Sequence, residues 1–228
     1  MAGKTAQVRN PQSAFAKASA DKSAIRNPQS VTVGVLAVQG AVEKHVQMLE
    51  RCGVRVIPVR FPAELDEVQG LVIPGGESTT VGKLMARYGL DAKIIERAKE
   101  GMPIFGTCTG MILLAKKIVD SDQHRLGLMD ATVLRNAFGR QIDSFESDLD
   151  IECIGPPAFR AVFIRAPYAV EANGSTRVLA RCEDKIVLLR QEGILACAFH
   201  PELTEDRRVH EYFIRMVKES LAKQGSRG

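Results

Sequence analysis

The 228-residue chain is 45% hydrophobic and 25% charged, with 19 Gly, 10 Pro and no Trp, ordinary composition for one generous globular domain or two small ones. Its longest apolar runs, such as 31–38, fall far short of the roughly 20 residues that a membrane-spanning helix needs, so a helical membrane protein is excluded. The formal charge of +4 lies wholly in residues 1–30, where five Lys or Arg face the single acid Asp21; the neutral remainder has no basic stripe and few aromatics for stacking, which argues against a nucleic-acid partner.

Residues 1–30 repeat the segment Arg9-Asn-Pro-Gln-Ser13 as Arg26-Asn-Pro-Gln-Ser30 around an Ala/Ser/Lys-rich spacer. Such a stretch cannot bury enough apolar surface to offset its ordering entropy, and it reads as a disordered basic extension outside a single domain over 31–228. Lys17 interrupts the only candidate secretory core, Ala14 to Ala20, although the acid-poor composition also fits a transit peptide. From Val31 the pattern changes. Val31 to Val38, Val54 to Val59, Leu71 to Ile73 and Ile104 to Phe105 predict buried strands, with helices over Ala41 to Arg51 and Thr79 to Tyr88 between them. Alternating strands and helices imply a parallel sheet covered on both faces. An apolar helix is expected over Met111 to Ile118. Later strand-like runs lie close together at Ala161 to Ile164, Arg177 to Cys182, Ile186 to Arg190 and Ile194 to Phe199, with turns at Asn173-Gly174, Glu183-Asp184 and Glu192-Gly193, so the second half adds antiparallel hairpins. A last helix is expected from about Glu205 to Ala222, capped by Thr204.

The five cysteines, Cys52, Cys108, Cys153, Cys182 and Cys197, form no C-x-x-C pair, so neither a disulfide framework nor a zinc site is written in the sequence. Unpaired thiols in that number suit a reducing, cytoplasmic compartment.

Three constellations carry chemistry. Gly106-Thr-Cys-Thr-Gly110 follows a strand and opens a helix, the nucleophile-elbow arrangement with Cys108 in place of serine and a helix amino terminus favouring the thiolate. His200-Pro-Glu202 follows the strand at Ile194 to Phe199. A thiolate needs a base and the base needs an orienting group, and an extended x-Pro-x segment would set both side chains on one side. Pro74-Gly-Gly-Glu-Ser78 sits at another strand end, where backbone N–H groups of Gly75 and Gly76 can approach an oxyanion; taken alone it is a Gly-rich turn with Ser78 as helix cap.

These residues resemble the class I, triad-type glutamine amidotransferases. The resemblance is closest to the glutaminase subunits of pyridoxal 5′-phosphate synthases and runs over nearly all of Val31 to Leu221, on Ala37-Val-Gln-Gly-Ala41, Pro74-Gly-Gly-Glu-Ser-Thr79, Gly127-Leu-Met-Asp130, Arg135-Asn136, Phe138-Gly-Arg-Gln141, Asp143-Ser-Phe-Glu146 and Phe163-Ile-Arg-Ala-Pro167. It implies a flavodoxin-like three-layer α/β fold and hydrolysis of L-glutamine to glutamate and ammonia, with no metal or organic cofactor. It implies Cys108 as nucleophile, His200 as base and acid, Glu202 as orienting carboxylate, Gly75 and Gly76 as oxyanion hole, and Gly76, Glu77, Ser78, Arg135, Ile164 and Arg165 as glutamine contacts. Thr109 stands where the resemblance implies Ala. It further implies a hetero-oligomer in which ammonia passes to a separate synthase subunit that activates the glutaminase; the surface near Gln39, Gly40 and His45, at the end of the first strand, is expected to receive that partner. A cysteine hydrolase of γ-glutamyl peptides could use the same three residue types, and a docking module without turnover is the non-enzymatic alternative.

Overall fold

Val33, Val35 and Leu36 belong to the first strand, β1 (Thr32–Leu36), whose residues are all buried, as expected of a central parallel strand covered on both faces. The computed structural model describes residues 31–135 and 144–226. After β1 come α1 (Val42–Arg51), β2 (Arg55–Val59), β3 (Gly70–Ile73), α2 (Ser78–Tyr88), α3 (Leu90–Lys99), β4 (Ile104–Thr107) and α4 (Thr109–Leu114). The second half runs through β5 (Ala115–Ile118), β6 (Met129–Leu134), β7 (Ser144–Leu149), β8 (Phe159–Ile164), β9 (Tyr168–Ala172), β10 (Arg177–Cys182), β11 (Lys185–Gln191) and β12 (Ile194–Cys197), and closes with α5 (Arg208–Gly225). The extension over 1–30, and the motif residues Asn136, Phe138-Gly-Arg-Gln141 and Asp143, lie outside the described residues.

The main sheet has ten strands, ordered β2-β1-β3-β4-β12-β11-β9-β6-β5, with β10 also paired to β11. From β2 to β12 every pairing is parallel. With β12 as fifth strand this is the 2-1-3-4-5 order of flavodoxin-like sheets, whose ligands bind outside the carboxyl ends of the strands where the order reverses. Beyond β12 the neighbours β11, β9 and β6 are antiparallel, and only the outermost pair, β5 with β6, is parallel again. Strands β7 and β8 form a separate antiparallel pair.

Alternation along β4 shows why three layers form. Phe105 packs on Phe213 of α5, whereas a side chain on Gly106 would run into Gly110 and Leu114 of α4. Successive strand residues point to opposite faces, so α5 and α4 cover opposite sides of the sheet. Among the described residues, no helix is long and apolar enough to cross a membrane.

Several boundaries depart from the sequence reading. The expected helix over Met111 to Ile118 is six residues of helix followed by a strand. Ala115 turns extended, and Ala115, Lys117 and Ile118 pair with Met129, Thr132 and Val133, so tertiary pairing overrides the local apolar signal. The last helix starts at Arg208 rather than Glu205. Thr204 closes the 3-10 turn before it instead of capping it, donating from Oγ1 to Pro201 O. Helix α3 and strands β5, β6, β7 and β9 were not anticipated. Of these β7 is mostly exposed and polar and carries little strand signal.

Candidate active site

The parallel register brings three turns to one edge. Ile73 pairs with Gly106 and Thr107 with Cys197, so the chain leaves β3 for Pro74-Gly75, β4 for Cys108 and β12 for His200 at the same level. Cys108 stands between strand and helix at φ 50° and ψ −100°, a region that non-glycine residues rarely occupy. Its backbone N–H donates to Cys197 O at 2.8 Å, which ties the elbow to β12. Glycine is required on both sides: a Cβ on Gly106 would collide with Gly110, and one on Gly110 would collide with the carbonyl of Ile73. The elbow follows the sequence reading, although α4 behind it is shorter than expected.

His200 Nδ1 lies 2.7 Å from Glu202 Oε1, and both side chains are buried. The segment is not the extended one anticipated. Pro201 opens a 3-10 turn, Pro201–Leu203, with His200 as its N-cap, and this turn folds the carboxylate back onto the imidazole. The His200 backbone N–H is fixed by Val162 O of β8 at 2.8 Å. Burial alone would make the imidazole shed its proton, but a side-chain hydrogen bond to Cys108 and the Glu202 carboxylate outweigh it and raise the His200 pKa to about 10. Around neutrality His200 is therefore an imidazolium, with its Nδ1–H turned to Glu202. Burial likewise opposes ionisation of Glu202, yet His45 and His200 beside it hold its pKa below the usual carboxylate value.

Gly75 is the third wall. A Cβ there would strike His200 Cε1 and stand 3.5 Å from Cys108 Cβ, so only glycine leaves room for the reacting pair. Its carbonyl accepts from Ala41 N at 3.0 Å, the next carbonyl, of Gly76, accepts from Thr109 Oγ1, and Glu77 N donates to Gln39 Oε1 at 3.0 Å. The threonine at the elbow thus fastens the Gly-Gly turn. Glu77, not Ser78, is the N-cap of α2: its carboxylate accepts from Thr79 N at 3.0 Å and Thr80 N at 2.7 Å. The Thr80 hydroxyl and these amides pull its pKa down to about 2.

The remaining expected contacts are placed unequally. The Ile164 carbonyl accepts from Cys108 Sγ at 3.9 Å, beside the nucleophile. Arg165 is exposed, in a left-handed backbone conformation at φ 42°. Arg135, half-buried, donates to Gln123 Oε1, and Ser78 Oγ donates to the same oxygen at 3.2 Å. Gln123 therefore joins Arg135 to the start of α2, and the sequence reading did not single it out. Gln39 and Gly40 are exposed as expected, but His45 is fully buried behind Glu202 and belongs to no surface. An α1 position one turn from the helix start was assigned to the rim because its strand end lies there; its side chain points inward instead. Cys182 and Cys197 are buried thiols, while Cys52 and Cys153 are half-buried. No three His, Cys, Asp or Glu side chains are grouped to hold a metal ion among the described residues.

This geometry coincides with a family match that covers residues 35–219. The chain belongs to the SNO glutamine amidotransferase family. It is accordingly an enzyme of the glutamine amidotransferase class. Among similar proteins is the pyridoxal 5′-phosphate synthase subunit PdxT of Pelotomaculum thermopropionicum, 57% identical over 182 residues that cover 80% of this chain and 93% of the relative. The PdxT of Carboxydothermus hydrogenoformans is 54% identical over 189 residues, covering 83% and 99%. A solved structure described as a glutamine amidotransferase superposes with a TM-score of 0.79 at 48% identity, over 82% of this chain and 98% of the other.

Proposed function

We propose that this SNO family member is the glutaminase subunit of a pyridoxal 5′-phosphate synthase, and that Cys108, His200 and Glu202 hydrolyse L-glutamine to L-glutamate and ammonia through a γ-glutamyl thioester. The observation that carries the reading is the position of His200, bonded through Nδ1 to Glu202 and lying with Cys108 against the same glycine, Gly75. Cys108 attacks the side-chain carboxamide carbon, its proton having passed to His200. The tetrahedral oxyanion is taken up by backbone amides of the Gly75-Gly76 turn. His200 protonates the leaving nitrogen, the C–N bond breaks and ammonia departs, leaving the thioester. Water then gives a proton to His200 and attacks the acyl carbon, the C–S bond breaks with the electron pair going to sulfur, glutamate is released and the Cys108–His200 pair returns to its starting protonation. Glutamine and water are the only reactants this balance requires.

Arg135 offers a planar fork for the substrate α-carboxylate, and Gln123 links it to Ser78 at the start of α2. Gly76, Glu77, Ile164 and Arg165 complete the contacts. A cytoplasmic location follows from the five free thiols. The partner is the synthase subunit, received at the rim around Gln39 and Gly40. The test is steady-state production of ammonia and glutamate from L-glutamine with and without added synthase subunit, together with mass-spectrometric trapping of a γ-glutamyl adduct on Cys108. The expected result is a strong rise with the partner and an adduct on that residue. Full activity of the free chain overturns the partner dependence, and an adduct elsewhere overturns the nucleophile.

A further inference from the structure

Behind Glu202, on the side away from Cys108, the fold buries two histidines that the reaction above does not use. His45 of α1 and His210 of α5 are both fully buried. His45 Nε2 lies 3.3 Å from Glu202 Oε2 and 3.1 Å from Thr107 Oγ1, and His45 Nδ1 lies 3.1 Å from His210 Nε2. Glu202 Oε2 makes no hydrogen bond of good geometry among the described residues, so His45 Nε2 is the polar atom set against it; His210 Nδ1, also buried, has no partner there either.

Proton placement follows from the two ends of this row. A buried N–H with no acceptor costs more than a bare ring nitrogen whose lone pair goes unused. His210 therefore keeps its proton on Nε2 and donates to His45 Nδ1. That nitrogen must then be bare, which leaves the His45 proton on Nε2. From the other end, an ionised Glu202 oxygen facing a bare Nε2 would be repelled, so the same tautomer is required. Both rings are neutral: burial lowers the pKa of each, for His210 to about 3, with Glu202 opposing the shift in both and His200 adding to it at His45.

We propose that His45, oriented by His210, is a positioning residue for glutamine hydrolysis: its Nε2–H, shared with Thr107 Oγ1, faces Glu202 Oε2 at 3.3 Å and steadies the carboxylate that orients His200. Glu202 is thereby held from both sides, by His200 at Oε1 and by His45 at Oε2. The inference rests on the Cys108, His200 and Glu202 reading above, and it extends the machinery into the layer between the sheet and α5.

The test begins with the unaltered full chain. Its four histidines can be labelled with nitrogen-15 and their tautomers read by NMR. The expected result is His45 and His210 both protonated on Nε2 and neutral at about pH 7.5. A His45 ring protonated on Nδ1 alone overturns the proposal. The second measurement compares His45→Leu with His45→Gln, whose amide can still donate. His45→Leu is expected to lower kcat about tenfold with little change in the KM for glutamine, and to move the acid limb of kcat/KM up by about one pH unit, because Glu202 loses a donor to its charged form. His45→Gln should recover most of both. Wild-type behaviour of His45→Leu overturns the role. If that variant does not fold, the tautomer measurement still decides. Failure of the glutaminase reading shows separately, as glutamine turnover that survives loss of the Cys108 thiol.

Discussion

The five-strand parallel segment and the antiparallel extension contribute different kinds of group to the site. From the parallel segment come Gly75, Cys108, His200 and Glu202, at strand ends whose neighbours are paired on both sides and buried on both faces. From the extension, the separate β7–β8 pair and their loops come Arg135, the Ile164 carbonyl and Arg165, which are half-buried or exposed. The groups proposed to exchange protons and make bonds are held where backbone position is over-determined. Those proposed to recognise the amino-acid end of glutamine stand where solvent and substrate can reach them. The contrast predicts that changes in the parallel segment act on kcat and changes in the extension act on KM.

The largest effect should come from Cys108→Ser, which removes the thiolate from a site shaped for sulfur; ammonia release is expected to fall by about three orders of magnitude or more. Retention within tenfold would break the assignment. Gly75→Ala comes next. The added methyl must displace the His200 ring, and a shift of about 1 Å costs on the order of a hundredfold in kcat. Equal loss in KM alone would blur the contrast. Arg135→Lys tests the other side: replacing the planar fork by a point charge should raise the KM for glutamine about tenfold and leave kcat within threefold. A pure kcat defect would contradict the division.

Two smaller effects concern stability. Glu77→Ala removes the N-cap of α2 and should cost about 1 kcal/mol at neutral pH, read from chemical denaturation. Because the folded-state pKa of Glu77 is depressed to about 2 from an ordinary 4.5, its contribution is complete above about pH 5 and is lost as pH falls through 2. The gap between wild type and variant should close over that interval; a gap independent of pH would exclude the carboxylate as its cause. Deleting residues 1–30 should move the melting temperature by less than about 4 °C and leave glutamine turnover unchanged, as the segment carries no periodic apolar face.

The parallel segment was far more legible in the sequence than the extension. Buried parallel strands are short apolar runs, so β1, β3, β4 and the elbow between β4 and α4 stand out without any partner in view, whereas β2, expected to be buried, is the sheet edge and only partly covered despite the same apolar composition. Strand β7, Ser-Phe-Glu-Ser-Asp-Leu, is ordered by its pairing with β8 and by little in its own composition. Strand β6, with Met129, Ala131 and Val133 buried in alternation, carried a period-two signal that its short, mixed composition concealed. In the site, Cys108 and His200 declared themselves by their flanking Gly and Pro. Gln123 lies in a polar loop with no local motif, and its meaning appears only when Arg135 and Ser78 arrive at its side-chain oxygen. His45 was misplaced for a related reason: helix position gives the face a residue occupies only once the helix has something to pack against, and α5 lies 165 positions away along the chain.

Cys108 sits in its left-handed pose at a conformational cost of about 1–3 kcal/mol relative to a residue free to relax, a cost glycine would largely avoid. Selection on folding alone would therefore erode this position toward glycine. A thiol that persists there does so against the thermodynamic drift of the domain, and a lineage released from the need to supply ammonia could gain thermal resistance by the same substitution that silences it.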